Sequence, residues 1–314
     1  MPSVDVIGVR EDIRAALADG RPVVALESSV IAHGLPSPAN LRIAHSLEEA
    51  VRVAGATPAT VGVIRGRVRV GLERDEIERL GAAGEIVKCA AGDLGWAITR
   101  GADGATTVSA TVFAAAAAGI EVVATGGIGG VHRGNTGDVS ADLPTLAHHP
   151  VAVVAAGAKS ILDLPKTLEA LETLGVPVVG LGTQDFPAFY ARSSGLVLDK
   201  HTERVEDIAR LCLIRWRRLR QQGGVLVACP CPEEQALVPS EVERATARAL
   251  SDAAAKGIYG KSLTPWLLTS VTRSLGARTI PANHALLLNN ARAGASIAIA
   301  LCELSSAPTS LTGH

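Results

Sequence analysis

Apolar positions along this chain fall into short unbroken runs that alternate with stretches of helical spacing. Residues 22–26, 121–125, 151–156, 176–181 and 225–229 are β-rich runs bounded by polar or glycine-containing segments, the pattern of strands buried on both faces. Between them, residues 40–54, 107–118, 160–174, 202–221 and 283–304 carry apolar side chains at helical intervals. Residues 60–70 predict a β-hairpin turning at Arg65-Gly66-Arg67, and residues 85–89 a further strand. Ser240 with Glu243 reads as a capping box for a helix running to Lys256. Thr264-Pro265 reads as a cap followed by proline at the first helical position, and Asn283 as the cap of the last helix. This order of elements predicts a single α/β/α domain, with a largely parallel sheet covered by helices on both faces. No repeat, low-complexity tract or linker interrupts it.

Composition narrows the class. With 30 basic against 31 acidic side chains the formal charge is -1, which gives no general hold on a nucleic acid polymer or a membrane surface. At 47% hydrophobic and 19% charged, the chain is too apolar to be disordered. Its three Trp, two Tyr and three Phe leave the core to Ala, Val, Leu and Ile. Residues 1–12 hold charges and no apolar run, and the uncharged apolar stretches 105–120 and 293–302 fall short of the ~20 residues a membrane span requires. The five cysteines are odd in number, and Cys229-Pro230-Cys231 is spaced too tightly for a bridge or a zinc knuckle. A reducing cytoplasm is the expectation.

Two phosphate motifs are approached and missed. Gly257-Ile258-Tyr259-Gly260-Lys261-Ser262 ends like a P-loop, but Ala255 stands where its first glycine belongs. Gly127-Ile128-Gly129 begins like a dinucleotide fingerprint, but His132 occupies the third glycine position.

The remaining candidates lie just past the carboxyl ends of predicted strands, where α/β enzymes keep their active sites. Glu27-Ser28-Ser29 follows the first run, with His33-Gly34-Leu35-Pro36 as a loop close by; an isolated Glu there could equally serve a turn. Lys88 ends the run 86–87, as a pocket cation or an ordinary strand-end lysine. Residues 126–134 combine glycines with His132 and Arg133, either a phosphate cradle of exposed amides or a surface loop. Asp138, Ser140 and Asp142 could hold a hydrated divalent ion or sugar hydroxyls, or cap the next helix. Lys159 stands at the end of the uncharged stretch 151–158, in a chain with only 6 lysines against 24 arginines. Burial there would disfavour the ammonium and free an amine able to attack carbon; the alternative is a lysine paired with Asp163 or Asp142. Asn289-Asn290 within an apolar helix must be satisfied core amides or pocket-facing binders.

Several blocks then match a known family. Val24-Ala25-Leu26-Glu27-Ser28, Ile31-Ala32-His33-Gly34-Leu35-Pro36 and the run from Ala124 to Gly134 resemble the pseudouridine-5'-phosphate glycosidases, also called indigoidine synthase A-like. So do Asp138-Val139-Ser140-Ala141-Asp142-Leu143, Gly157-Ala158-Lys159-Ser160-Ile161-Leu162-Asp163 and Phe186-Pro187-Ala188-Phe189-Tyr190, so that the similarity spans residues 20–303. The chain departs at Ala105, where the family usually has a second glycine before Thr-Thr-Val.

The resemblance implies reversible cleavage of pseudouridine 5'-phosphate to uracil and ribose 5-phosphate, by an α/β/α homotrimer using a divalent metal, typically Mn2+. It implies Glu27 as the acid, Lys159 as the imine-forming lysine and Asp138 as the metal-associated residue. Substrate contacts would fall on Lys88, Val108, His132, Ser140, Ala141, Asp142 and Asn289. Because the bond to be cut is carbon–carbon, protonating a leaving nitrogen is unavailable, and an amine takes the place of the second carboxylate of an ordinary glycosidase. A lysine-dependent sugar-phosphate aldolase and a non-catalytic sugar-phosphate binding protein are the competing readings.

Overall fold

The computed structural model describes residues 6–34, 37–82, 84–134, 137–259 and 263–306. Its strands are β1 (Ile7–Val9), β2 (Val23–Leu26), β3 (Thr57–Ile64), β4 (Arg67–Val70), β5 (Val87–Cys89), β6 (Gly104–Thr106), β7 (Val122–Ala124), β8 (Ala152–Ala155), β9 (Val178–Leu181), β10 (His201–Thr202) and β11 (Val225–Ala228). The helices are α1 (Glu11–Ala18), α2 (Ala39–Val53), α3 (Arg74–Gly81), α4 (Leu94–Thr99), α5 (Val108–Ala118), α6 (Asp142–His148), α7 (Leu164–Thr173), α8 (Val205–Leu213), α9 (Pro239–Ala255), α10 (Leu263–Leu275) and α11 (Thr279–Ser306).

All these strands join one mixed sheet, in the order β1-β4-β3-β2-β7-β8-β11-β9-β10, with β6 on β3 and β5 on β6. Its body from β3 through β2, β7, β8, β11 and β9 to β10 is parallel; only the pairings of β3 with β4 and β6 are antiparallel. Every residue of β2, β7, β8 and β11 is buried, as continuous Val, Leu and Ala runs dictate when both faces are covered. α11 lies on one face, where Gly294 sits against Val24, Val122 and Ala124. Val23, Ala25 and Val123 point the other way by the strand's two-residue period, toward the face along which α5 packs on β2, β3, β4 and β7. Trp266–Ser306 is long and apolar enough to cross a membrane by length and composition, but 56% of its most apolar window is buried, and α11 is a helix of the core.

The hairpin forms as expected, with Arg65 and Gly66 alone at the turn, both at positive φ (48° and 71°). Ala105 falls inside β6, between Gly62 and Lys88, where extended backbone accepts a side chain readily.

Other expectations fail for local reasons. α9 starts at Pro239, so Ser240 lies within its first turn, and Glu243 turns away to bind Arg133. Thr264 lies inside α10 (Leu263–Leu275) and not at its cap. Asn283 is buried inside α11, whose first residue is Thr279. The helix expected over 202–221 ends at Leu213 and continues as a wide turn through Ile214–Arg218. Residues 35–36 and 260–262, part of two of the motifs above, lie outside the described residues.

Candidate active site

The register of the parallel strands sets the site. Leu26 pairs with Ala124 and Ala124 with Val154, so Glu27, Thr125 and the segment after Ala155 emerge side by side at one edge of the sheet. Beyond the strands the pairing continues: Ala156 donates its amide to the Gly126 carbonyl at 2.9 Å, Ile128 to Gly157 at 3.1 Å and Lys159 to Ile128 at 3.1 Å. Lys159 is thereby carried beside the glycine-rich run rather than out into solvent.

Glu27 is buried, and both carboxylate oxygens are occupied: Thr125 donates its hydroxyl to Oε1 and Ser29 to Oε2. Asn290 reaches the same place from α11, donating Nδ2 to the Thr125 carbonyl at 2.7 Å and to Gly126 at 3.4 Å. Its Oδ1 is buried with no hydrogen-bond partner among the described residues. Asn289 faces elsewhere, donating to Cys229 Sγ and the Pro230 carbonyl, each at 3.1 Å. Ser29 is legible beside Glu27 in the sequence and Asn290 as one of two helical amides, but Thr125 is marked only by its position as the last residue of its strand run.

Lys159 is half-buried and, among the described residues, its amine has no ion-pair or hydrogen-bond partner. The alternative partners are committed elsewhere. Asp163 caps α7 and pairs with Lys166 at 3.0 Å. Asp142 accepts the amides of Ser109 at 2.8 Å and Gly129 at 2.7 Å.

Four basic side chains share this edge. Partial desolvation holds the Lys88 ammonium below its ordinary value although the residue is exposed; the Lys159 charge pushes it the same way, and Glu27 and Asp142 oppose both. Burial likewise lowers His132, where Asp138 pulls up against Lys159 and Lys88. His33, exposed in the wide turn Val30–Gly34, is lowered by partial desolvation and then by Lys88. Val108 opens α5 next to this cluster, and Asp142 ties that helix start to Gly129.

The glycine-rich run is buried at the sheet edge, not a surface loop. Residues 126–130 are all buried; the amides of Ile128 and Gly129 are taken by Gly157 and Asp142, and that of Val131 by Thr167. The glycines serve close packing: a Cβ on Gly129 would stand 2.3 Å from Ser140 Oγ, and one on Gly127 2.6 Å from the Phe189 ring. Arg133 is spent on Glu243 and on the carbonyls of Ser160 and Leu162. Among the described residues, the cations left at this edge without a carboxylate within ion-pair range of an amine are Lys88 and Lys159.

Ser140 and Ala141 precede α6, with Ser140 Oγ accepting the Asp142 amide at 3.2 Å. Asp138 is 38% exposed, with Oδ2 3.9 Å from His132 Nε2. No group of three His, Cys, Asp or Glu side chains converges among the described residues. A dedicated metal cage is therefore absent there, but one half-exposed carboxylate beside an imidazole fits a divalent ion that keeps most of its water.

Comparison with known proteins decides the family. Residues 12–300 match the family described as indigoidine synthase A like protein. The chain belongs to the indigoidine synthase A-like family of pseudouridine-5'-phosphate glycosidases. A relative from Rhodospirillum centenum, named pseudouridine-5'-phosphate glycosidase, is 54% identical over 302 residues, covering 96% of this chain and 94% of its own. One of the same name from Caldanaerobacter subterraneus is 49% identical over 300 residues, covering 95% and 97%. Among solved structures, the prealnumycin C-glycosynthase AlnA in complex with ribulose 5-phosphate superposes with a TM-score of 0.89 at 39% identity, covering 96% of this chain and 98% of that one. An indigoidine synthase A-like protein from Thermotoga maritima gives 0.85 at 34% identity, covering 94% and 96%. The family's fold and this α/β sheet with its many helices are thus the same architecture.

Proposed function

We propose that this chain splits the C-glycosidic bond of pseudouridine 5'-phosphate reversibly, giving uracil and ribose 5-phosphate through an imine on Lys159. The observation that carries the reading is an unpaired Lys159 amine held among other cations at the sheet edge that bears Glu27. A lysine kept for structure would have taken Asp163 or Asp142.

Glu27 protonates the ribose ring oxygen as the bond from C1' to that oxygen breaks, which opens the sugar and leaves C1' conjugated with the base. The Lys159 lone pair adds at C1'. Protonation of the uracil carbon lets the carbon–carbon bond break toward uracil, leaving the lysine–ribose imine. One water hydrolyses that imine to ribose 5-phosphate and the free amine. Lys88, His33 and the amino end of α5 at Val108 receive the phosphate, and this remote grip orients C1'. His132 and residues 140–142 border the sugar, with Asn290 nearer to Glu27 than Asn289. A divalent ion, manganese by resemblance, would be held through Asp138 and would supply ordered, polarised water. The same reading places the enzyme in the cytoplasm as a homotrimer. Exposed Val87, and Trp96 on the helix against β5, offer apolar surface beside Lys88 for a neighbouring subunit.

The test is uracil release from pseudouridine 5'-phosphate, with and without chelator, together with borohydride reduction in the presence of ribose 5-phosphate. A pentose-phosphate mass on Lys159 and chelator-sensitive uracil release are expected. Unmodified protein, or label on another lysine, overturns the imine. Condensation of uracil with ribose 5-phosphate separates this activity from a sugar-phosphate aldolase, which makes no pseudouridine 5'-phosphate.

A further inference from the structure

The four-residue turn that carries Lys159 is closed by the Leu162 amide on the Lys159 carbonyl at 3.0 Å. Lys159 is held at its amide by the Ile128 carbonyl, and the carbonyls of Ser160 and Leu162 further along the turn are held by a side chain, that of Arg133. Its Nε donates to the Leu162 carbonyl at 3.0 Å and its Nη2 to the Ser160 carbonyl at 3.1 Å, one on each side of Ile161. The outer edge of the same guanidinium forms a two-pronged pair with Glu243 on α9, Nη1 to Oε1 at 2.5 Å and Nη2 to Oε2 at 2.8 Å. A planar guanidinium suits this task, since its donors sit in a rigid fork that an ammonium cannot copy.

Strand alternation explains why this residue does it. Val131 and His132 run antiparallel beside residues 162–163, with the Asp163 amide on the Val131 carbonyl at 2.9 Å. Consecutive side chains on such a segment point to opposite sides. His132 therefore turns to the cations of the site while Arg133 turns to the outside of the Lys159 turn and to α9. The pair also holds the Glu243 carboxyl below its usual value, chiefly through the hydrogen bonds from Arg133.

We propose that Arg133 and Glu243 form a positioning clasp that sets where the Lys159 amine stands, without either residue touching the substrate. The idea rests on Lys159 being the imine-forming group, as proposed above. A nucleophile displaced by about 1 Å reacts far more slowly while the substrate still binds, so the loss falls on kcat rather than KM.

The experiment measures kcat, KM and the rate of borohydride-trapped adduct formation for wild type, Glu243→Gln, Arg133→Lys and Arg133→Ala, with thermal melting of each. Glu243→Gln, remote from the pocket, is expected to lower kcat and trapping together by about tenfold, with KM within about twofold. Arg133→Lys, which keeps the charge but loses the fork, should fall further, and millimolar guanidinium should restore part of the Arg133→Ala rate. Should Arg133→Ala fail to fold, Glu243→Gln and Arg133→Lys still decide the matter. Wild-type kcat in both, or a raised KM at unchanged kcat marking Arg133 as a substrate ligand, overturns the clasp. Failure of wild type to trap any adduct defeats the imine instead, and is read before any variant is compared.

Discussion

Thr125 donates its hydroxyl to Oε1 of Glu27, bridging the carboxyl ends of β7 and β2. With Ser29 on Oε2, the carboxylate is fixed in plane and direction. Thr125→Val keeps the shape and deletes this donor. A buried acceptor left unpaired costs about 1–3 kcal/mol. The melting temperature should fall accordingly, and kcat for uracil release should drop by about tenfold with little change in KM, because the loss is of orientation at the reacting atom. An unchanged kcat would show that Glu27 does not need this tether.

Two glycine substitutions should differ sharply. Gly157 has φ 69°, and a Cβ there would stand 2.0 Å from the Pro187 carbonyl oxygen, part of the segment that buttresses the glycine-rich run. Gly119 has a similar φ of 84° at the end of α5, with nothing within 4 Å of a built Cβ. Gly119→Ala bears only the left-handed backbone cost of about 1 kcal/mol. Gly157→Ala adds a backbone collision and should lose about 3 kcal/mol or more. Denaturant titration of the two variants makes the comparison; equal losses would mean that the Pro187 segment yields easily.

The central strands were legible because each is an unbroken apolar run of Val, Leu and Ala, and two of them end directly in a polar residue, at Leu26-Glu27 and Ala124-Thr125. The same rule put Glu27 and Lys159 at one end of the sheet. What failed was any inference that depended on which way a side chain turns. Arg133 beside His132 looked like a second anion ligand, yet strand alternation sends it to Glu243. Glu243 looked like a cap partner for the same reason: its acceptor is attractive locally, but a charge partner 110 residues away takes it. Of the adjacent Asn289 and Asn290, helical rotation decides which meets Thr125, and one step of about 100° is finer than apolar spacing resolves. The glycine-rich run also lets Phe189, Ser140 and Thr167 approach the backbone, a packing demand that spacing along the chain does not reveal.

His132 should titrate below the ordinary imidazole range, in the first place because it is buried, with Lys159 and Lys88 adding to the shift against Asp138. Lys159→Ala removes a cation and should raise its pKa; Asp138→Asn removes an anion and should lower it further. Nuclear magnetic resonance of the imidazole carbons over pH reads both, and shifts in the reverse sense would place His132 outside this cluster. The sign carries over to stability. Unfolded protein takes up the proton first as pH falls below about 6.5, so stability present at neutral pH is lost as pH drops toward the folded-state value.

Asp142 is the site's most sharply testable acceptor. Its Oδ1 takes the Ser109 amide at the start of α5 and its Oδ2 the Gly129 amide, and both partners are backbone donors that cannot reverse roles. Asp142→Asn keeps size and shape but replaces one oxygen with a donor. Either orientation of the new amide sets an N–H against a backbone N–H, so one buried amide loses its partner at a cost of about 1–3 kcal/mol. If the lost contact is at Ser109, the first turn of α5 loosens beside Val108, and KM for pseudouridine 5'-phosphate should rise. If it is at Gly129, the run beside Lys159 loosens and kcat should fall. Either way, a lower melting temperature accompanies the kinetic change, since the carboxylate joins two elements of the fold. A variant that melts like wild type while losing activity would instead mean that Asp142 acts on the substrate directly and that its two amide contacts are dispensable.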